Sequence, residues 1–444
     1  MQELENIINR INELIWTYPM ILLLVATHLY LTFKLKFIQK YIFKAMKLSL
    51  KRDNSAGMVS NFGALAVSLA ATIGTGSILG MTTAVATGGP GAVFWMIVIG
   101  VFGIATKYSE CLLAVKYRVK LRTTKEYVGG PMYIMKNALK MKWMGVIFAV
   151  CGLLMAISGG GFLQVNAIVD VLGNAYSING LLIGVIVSLI VAIVIIGGVK
   201  SIAAVCEWLV PIMGGLYLLA ALYIFVVNIH QMPATVILIL KSAFGFKAVG
   251  GGFAGAAILT ALHIGASRSV LSTEAGMGSA SVVAAAAKTK NPVRQGLVAS
   301  TSVFWTFFIC TLTGLVIIVA GDWQSGQKFA GDLCNSAFET IPYIGVPLLV
   351  FSLTIFSLTT IIGWAYYGEK FMEFLGGSKI VKPFRVFWIL FMISGVYISP
   401  SLAWALVVTV TAMMSIPNLI MIFMLRKRIV KETNLYLKSE IDNI

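Results

Sequence analysis

One long apolar segment, residues 61–87, contains a stretch that a membrane helix would normally exclude. Thr72-Ile-Gly-Thr-Gly-Ser77 places two glycines and three hydroxyl groups in the middle of it. A bilayer offers no hydrogen bonds to an interrupted backbone, so such a stretch must lie beside a polar cavity within the protein. A second stretch, Leu271-Ser-Thr-Glu-Ala-Gly-Met-Gly-Ser279, interrupts the apolar segment at 251–287. Paired interruptions in two halves of a chain indicate a transport site.

Composition indicates that both interruptions belong to an all-α polytopic membrane protein. Hydrophobic residues make up 59% of the chain, charged residues make up 11%, and the mean hydropathy is +0.91. A helix needs about 20 apolar residues to cross roughly 30 Å of hydrocarbon, and the apolar runs predict about 11 transmembrane helices. We place them at approximately 16–34, 61–87, 92–115, 143–171, 178–199, 203–228, 251–287, 295–320, 345–371, 382–399 and 401–425.

The positions of the basic residues predict the topology. The formal net charge is +17, and 29 of the 34 Lys and Arg residues fall in alternate connections. These connections are 34–52, 107–142, 288–294, 370–385 and 426–438, together with Lys200. The positive-inside rule assigns them to the cytoplasm, with the N-terminus outside and the C-terminus cytoplasmic in a multi-pass protein of the cell membrane. Because topology accounts for the charge, we expect the lipid bilayer and not nucleic acid as the partner.

The spans divide the chain into four parts. Residues 1–60 hold an amphipathic lead, an extra transmembrane helix and a basic cytoplasmic linker. Residues 61–228 form a first five-helix repeat, 251–425 a second, and 426–444 a cytoplasmic C-terminal tail. Since each group has an odd number of spans, the second enters the membrane from the opposite side. This predicts a 5+5 inverted repeat whose first and sixth core helices are broken, and leaves the oligomeric state open.

Broken helices suit a zwitterionic ligand because they expose both donors and acceptors. Freed N–H groups of Gly74, Thr75 and Gly76, at the N-terminus of a half-helix, would bind a carboxylate. Freed carbonyls around Thr72 and at Leu271 to Thr273 would accept from an ammonium group. The alternative for the glycines is a tight helix crossing through small residues.

Two adjacent hydroxyls, Thr359 and Thr360, lie in an otherwise apolar span. Sodium is a hard cation that prefers oxygen ligands, so this pair is a candidate cation site. The alternative is that each hydroxyl bonds the carbonyl of the preceding helical turn.

Ionisable residues inside apolar membrane segments are energetically costly and therefore indicate a functional or structural role. A charge at the bilayer centre costs about 2.5–3.5 kcal/mol on insertion scales, so Glu274, Arg268 and His263 are candidates for a proton pathway or for structural hydrogen bonds. Lys107 and Glu110 are three residues apart on one helix. We predict that they form an ion pair with each other.

Six motifs occur in order and resemble the alanine or glycine:cation symporter family. They are Thr72-Ile-Gly-Thr-Gly-Ser-Ile78, Gly88-Gly-Pro-Gly-Ala-Val-Phe-Trp95, Ala105-Thr-Lys-Tyr-Ser-Glu110, Gly129-Gly-Pro-Met-Tyr133, Ser272-Thr-Glu-Ala-Gly-Met-Gly-Ser279 and Thr359-Thr-Ile-Ile-Gly-Trp-Ala-Tyr-Tyr-Gly-Glu369. The resemblance spans roughly residues 60–420. It implies a leucine-transporter-like fold and cation-coupled uptake of a small neutral amino acid.

The resemblance also implies roles for particular residues. Carbonyls of Ala70, Ile73 and Phe356 would complete the sodium shell of Thr359 and Thr360. Gln164 would be a polar group beside the substrate. The candidate substrate-binding residues are then Thr72, Gly74, Thr75, Gly76, Ser77, Gln164, Leu271, Ser272, Thr273, Gly276 and Trp404. The chain departs from the usual family pattern at Ser77, Leu271 and Thr273, where the family usually has Asn, Phe and Asn. It also departs at Trp305 and Val408, where the family usually has Asp, and at Thr411, where it usually has Asn. These positions bear on substrate choice.

We therefore expect a secondary transporter that couples sodium to the uptake of alanine, glycine or a similar amino acid. A proton-coupled transporter of the same fold, with Glu274 or His263 carrying H+, is the main alternative. An ion channel is less favoured, because no repeated filter or ring of charges is present. An enzyme is not expected, because the chain has neither a His-Glu-x-x-His nor a Gly-x-Ser-x-Gly motif.

Overall fold

The structure, a computed structural model, describes residues 2–17, 19–51, 53, 55–245, 253–320, 323 and 330–439. These residues are mostly helical, as the composition predicts. The α-helices are α1 Gln2–Thr17, α2 Pro19–Lys34, α3 Ile42–Leu50, α4 Asn61–Thr72, α5 Leu79–Gly88, α6 Gly91–Lys116, α7 Pro131–Asn137, α8 Lys142–Met155, α9 Leu163–Tyr176, α10 Gly180–Ile196, α11 Gly198–Val227, α12 Met232–Ala243, α13 Phe253–Thr273, α14 Ala280–Ala284, α15 Pro292–Ala320, α16 Ala330–Phe338, α17 Gly345–Gly376, α18 Val381–Ile393, α19 Pro400–Met424 and α20 Arg426–Ser439.

Three kinds of smaller element complete the list. A π-helix, Ala156–Phe162, joins α8 to α9 without a gap. Two strands, β1 Val119–Lys120 and β2 Tyr127–Val128, pair antiparallel with Val119 opposite Val128. Single 3-10 turns lie at Ile38–Tyr41, Ile229–Gln231, Ser378–Ile380 and Ser394–Tyr397. Residues 1, 251–252 and 440–444, at the ends of the predicted lead, second repeat and tail, lie outside the described residues.

Both predicted interruptions are present. α4 ends at Thr72 and α5 begins at Leu79, while α13 ends at Thr273 and α14 begins at Ala280. The second interruption contains three positive φ angles, 53° at Glu274, 96° at Gly276 and 83° at Gly278. Glycine adopts such angles at little cost, so these glycines allow the chain to turn sharply inside the protein.

Among the described residues, fewer single helices than the predicted 11 are long and apolar enough to span a membrane. There are seven, or eight if α1 and α2 count as one bent span. The seven do not include the helices on either side of the two interruptions, nor α10, which has 17 residues. The total of 11 and the inverted repeat therefore remain predictions.

Two long helices hold the interruptions from either side. α6 packs along α13 and α15, and α17 packs against α4, α8, α9 and α11. In the centre, the rings of Tyr217 on α11 and Phe356 on α17 meet edge to face with centroids 5.9 Å apart. The first interruption is therefore held by α17, and the second by α6.

Backbone segments next to the two broken helices bond to each other on the predicted cytoplasmic side. Met58 N donates to Ala286 O at 2.7 Å, and Lys288 N donates to Val59 O at 2.8 Å. The guanidinium of Arg118 donates to the carbonyls of Ala56, Ala285 and Ala287 at 2.8–3.2 Å. We call residues 56–59, residues 285–288 and Arg118 the inner latch. It ties the start of α4 to the end of α14.

The described part of the predicted C-terminal tail is a docked helix. In α20, Thr433 shares a 2.7 Å hydrogen bond with the Tyr108 hydroxyl, and Glu432 pairs with Lys116 at 2.8 Å. Ile429, Thr433 and Tyr436 are buried. Residues 426–439 therefore pack against the end of α6.

Candidate functional site

The two interruptions meet at one cavity in the middle of the protein. The Ser272 hydroxyl donates to Gly76 O at 2.9 Å and joins them directly. The cavity is lined by Ala71, Thr72, Gly74, Gly76, Met155, Gly159, Leu163, Gln164, Leu271, Glu274, Thr360, Trp364 and Val407. We call it the central cavity.

Three backbone N–H groups at the first interruption have no acceptor among the residues that the structure describes. Ser77 N and Ile78 N donate to Gly74 O, and Gly80 N donates to Thr75 O. The N–H groups of Gly74, Thr75 and Gly76 donate to no acceptor among the described residues, as expected at the start of a half-helix. Since Gly74 and Gly76 line the central cavity, this stretch can receive a negatively charged group.

Gln164 is fixed in the wall of the central cavity by two hydrogen bonds. Its Oε1 accepts from the Thr75 hydroxyl at 3.0 Å, and its Nε2 donates to Gly159 O at 2.9 Å. Gly159 lies in the π-helix, where Gly160 packs so closely on Trp364 that a Cβ would overlap the ring. Asn166, by contrast, donates to Ile398 O at 2.8 Å, away from the cavity.

The hydroxyls of Thr359 and Thr360 point to different neighbours. Thr360 Oγ1 donates to Ala70 O at 2.8 Å and to Phe356 O at 2.9 Å. Thr359 Oγ1 donates to Phe356 O at 3.0 Å and also faces Met213 Sδ at 3.7 Å. Thr360 therefore lies with Ala70 and Phe356, three of the predicted sodium ligands. Both hydroxyls also make bonds within their own helix, which is the alternative that the sequence left open.

Buried charges surround the second interruption in an arrangement that differs from the prediction. Lys107 Nζ donates to Thr273 O at 3.0 Å and lies 3.7 Å from Glu274 Oε2. Glu110 Oε1 accepts from Gly276 N at 2.8 Å and from Asn418 Nδ2 at 2.7 Å. The predicted Lys107–Glu110 ion pair is wrong for the described residues, because α6 packs on α13 and each side chain reaches the broken helix instead.

The remaining predicted residues lie around the central cavity but do not line it. Ser77 donates to Thr72 O at 2.8 Å and closes the first interruption. Thr75, Ser272, Thr273 and Gly276 support the interruptions through the bonds above. Arg268 and Trp404 stack with the guanidinium carbon 4.4 Å from the ring centroid. His263 is half-buried on α13, ten residues before the interruption.

Sequence reasoning missed two polar residues near the second interruption. Asn418 bonds Glu110 and also donates to Gly276 O at 2.8 Å. His28 Nδ1 lies 2.7 Å from Thr106 Oγ1 and is buried beside Gly103. A single amide in an apolar helix next to Pro417 was a usable signal for Asn418. His28 precedes the predicted core, so no motif pointed to it.

Solved structures with a similar fold identify the architecture of the chain. The chain matches MhsT in complex with L-phenylalanine at a TM-score of 0.59 and 13% identity, covering 85% of this chain and 92% of that one. It matches a manganese transporter of Eremococcus coleocola at 0.54 and 14%, covering 78% and 74%. The chain therefore has the leucine-transporter fold.

Sequence relatives define the family. The sodium:alanine symporter family matches residues 1–443, and the chain belongs to this family. It is 39% identical to the sodium/alanine symporter AgcS of Methanococcus maripaludis over 97% of both chains. It is 42% identical to an uncharacterized transporter of Haemophilus influenzae, over 98% of this chain and 96% of that one. The probable sodium/glutamine symporter GlnT of Bacillus subtilis is 36% identical, over 96% and 89%. The family resemblance of the six motifs is confirmed.

Proposed function

We propose that this protein couples the movement of sodium to the uptake of a small neutral amino acid into the cytoplasm. The observation that carries the proposal is the set of acceptor-free N–H groups at Gly74, Thr75 and Gly76, next to the central cavity. They can bind the carboxylate of an amino acid, and the positive end of the α5 dipole adds to the attraction. Carbonyls at the end of α4 then accept from its ammonium group.

Sodium belongs, on this proposal, between α4 and α17. The oxygens of Thr360, Ala70 and Phe356 already lie together there. A sodium ion would be coordinated by all three oxygens, while the Thr360 hydroxyl keeps its proton and turns it away from the ion. Ile73 O is the further ligand that the family resemblance implies. Because the ion would hold the same end of α4 that binds substrate, each ligand should raise the affinity of the other by the same factor.

The walls of the central cavity suit a small side chain. Leu271, Trp364 and Val407 present apolar surface, and Gln164 is the polar side chain that its bonds to Thr75 and Gly159 hold in place. Relatives named for alanine and for glutamine make both amino acids candidates, together with glycine. The larger glutamine would need Leu271 or Trp364 to move.

Uptake into proteoliposomes tests the proposal. Labelled alanine, glycine and glutamine are supplied under an inward sodium gradient, an inward proton gradient, or neither. We expect saturable uptake under the sodium gradient alone and tighter equilibrium binding of the best substrate when sodium is present. Binding that is equal with and without sodium would contradict coupling. Uptake driven by the proton gradient alone would favour the proton-coupled alternative, with Glu274 as the first residue to examine.

A further inference from the structure

Arg268 is a cation inside the protein for which the described residues provide no counter-ion. Its Nη1 atom is buried without a hydrogen-bond acceptor. Lys107, Lys370 and Arg385 each reach a carboxylate instead. A charge held within a membrane protein without a partner is costly, so its presence suggests a ligand that supplies the missing negative charge.

Arg268 lies immediately outside the central cavity. It precedes Leu271 by three residues on α13, and Trp404 precedes Val407 by three residues on α19. Three helical residues rise about 4.5 Å, so the stacked pair lies one turn from the cavity wall, toward the predicted outer side. Gly80 of α5 completes this layer, since a Cβ there would lie 3.4 Å from Trp404 Cη2.

The stacking leaves the guanidinium free to bind in its own plane. Trp404 covers one face of Arg268 at 4.4 Å, which is a cation–π contact. The N–H groups at the edge of a guanidinium form a fork that matches the two oxygens of a carboxylate. Both side chains are partly buried and Nη1 itself is buried, so a ligand reaches the fork when the neighbouring side chains move aside.

We propose that Arg268 and Trp404 form an outer carboxylate site, which binds the amino acid before it reaches the central cavity. The inference rests on the proposed function, since it takes the transported amino acid as the ligand. The carboxylate would pass from Arg268 to the N–H groups of Gly74 to Gly76, so two anion-binding sites act in series. Chloride is the other anion that could bind a lone guanidinium, and the experiment separates the two.

A site that is only passed through has a kinetic signature. Removing such a site lowers the association rate and the dissociation rate of the substrate by the same factor, because the free energies of the free and the fully bound states are unchanged. The equilibrium affinity of the central cavity therefore stays the same. A residue that acts on the central cavity itself would change the affinity.

The experiment uses the full chain with the substitutions Arg268→Gln and Arg268→Lys. Lys241→Gln, which removes an exposed charge from the predicted outer side, is the matched control. Association and dissociation rates of labelled substrate are measured at saturating sodium, in chloride and in methanesulfonate, an anion without a carboxylate. For R268Q we expect both rates to fall about tenfold with an unchanged Kd, since a charged hydrogen bond contributes about 1.5–3 kcal/mol. For R268K we expect both rates to fall about threefold, because lysine keeps the positive charge but lacks the forked N–H groups of the guanidinium.

Several outcomes would overturn the inference. The first two are unchanged association and dissociation rates in folded R268Q and a changed Kd in that variant. The third is an equal loss of rate in K241Q. The fourth is a wild-type association rate that depends on chloride while the R268Q rate does not. If R268Q does not fold, R268K decides, and unchanged rates in it overturn the proposal. Failure of the wild type to take up any amino acid with sodium is a separate result. It rejects the proposed function itself, and the outer carboxylate site with it.

Discussion

Gln164 is held from two directions, and this predicts what its loss would do. Gln164→Leu removes the partner of the Thr75 hydroxyl and of Gly159 O inside the central cavity. Buried groups left without partners cost about 1–3 kcal/mol, so we expect substrate affinity to fall about tenfold or more. Equilibrium binding of the labelled substrate to the wild type and to Q164L measures this loss of affinity.

Asn166 provides the control for this prediction. Asn166→Leu also removes a hydrogen bond, the partly buried one to Ile398 O, but on a side of α9 that does not face the cavity. It should lower the thermal unfolding temperature and leave substrate affinity within about twofold. If both variants lose affinity equally, Gln164 acts only through the stability of α9.

The two threonines of α17 are predicted to differ in their effect on sodium. Thr360→Val removes the hydroxyl that lies with Ala70 O and Phe356 O, while Thr359→Val removes one that faces Met213. We expect T360V to raise the half-saturating sodium concentration about tenfold and T359V less than about threefold, since only one oxygen faces the proposed ion. Sodium-dependent substrate binding gives both values. A larger effect in T359V would contradict this placement and indicate that the ion binds at the other face of α17.

At the scale of elements, the inner latch predicts a local opening. Arg118→Gln removes a guanidinium that serves three carbonyls on two segments. Amides that close the latch, such as Met58 N and Lys288 N, should then exchange hydrogen faster, because local opening costs less. Hydrogen–deuterium exchange followed by mass spectrometry reads these segments directly. Arg122→Gln, which removes an exposed arginine, should leave their exchange unchanged.

The broken helices were predictable because their signal is local. Glycines and hydroxyls in an apolar run indicate an interruption whatever the rest of the chain does, and the helices end at Thr72 and Thr273 as that reasoning requires. The partners of Lys107 and Glu110 were not predictable, because they depend on how α6 lies against α13 and the following turn, whose contacting residues are 166 positions further along the chain. The π-helix was missed for a similar reason. Its geometry depends on Trp364 of α17 packing on Gly160.

For the whole molecule, the predicted division into two inverted five-helix groups is consistent with the leucine-transporter fold and stays a prediction in its detail. Alternating access on this prediction requires the cytoplasmic ends of the two broken helices, one from each group, to separate. The inner latch joins these two groups, so a crosslink between cysteines placed at Met58 and Ala286 should abolish transport and leave sodium-dependent substrate binding intact. Transport that continues in the crosslinked protein would show that the latch does not open.

The charges around the second interruption also have an electrical consequence. Lys107, Glu110 and Glu274 are covalently part of the chain. Any distance that these charges move through the membrane field during transport is reversed when the empty transporter returns to its starting state. Over a complete cycle they carry no net current. The current per amino acid should then count the sodium ions alone, and each ion adds about 2.3 kcal/mol per 100 mV of membrane potential. That energy corresponds to roughly fiftyfold accumulation of the amino acid. Reversal potentials measured in proteoliposomes would give this count directly.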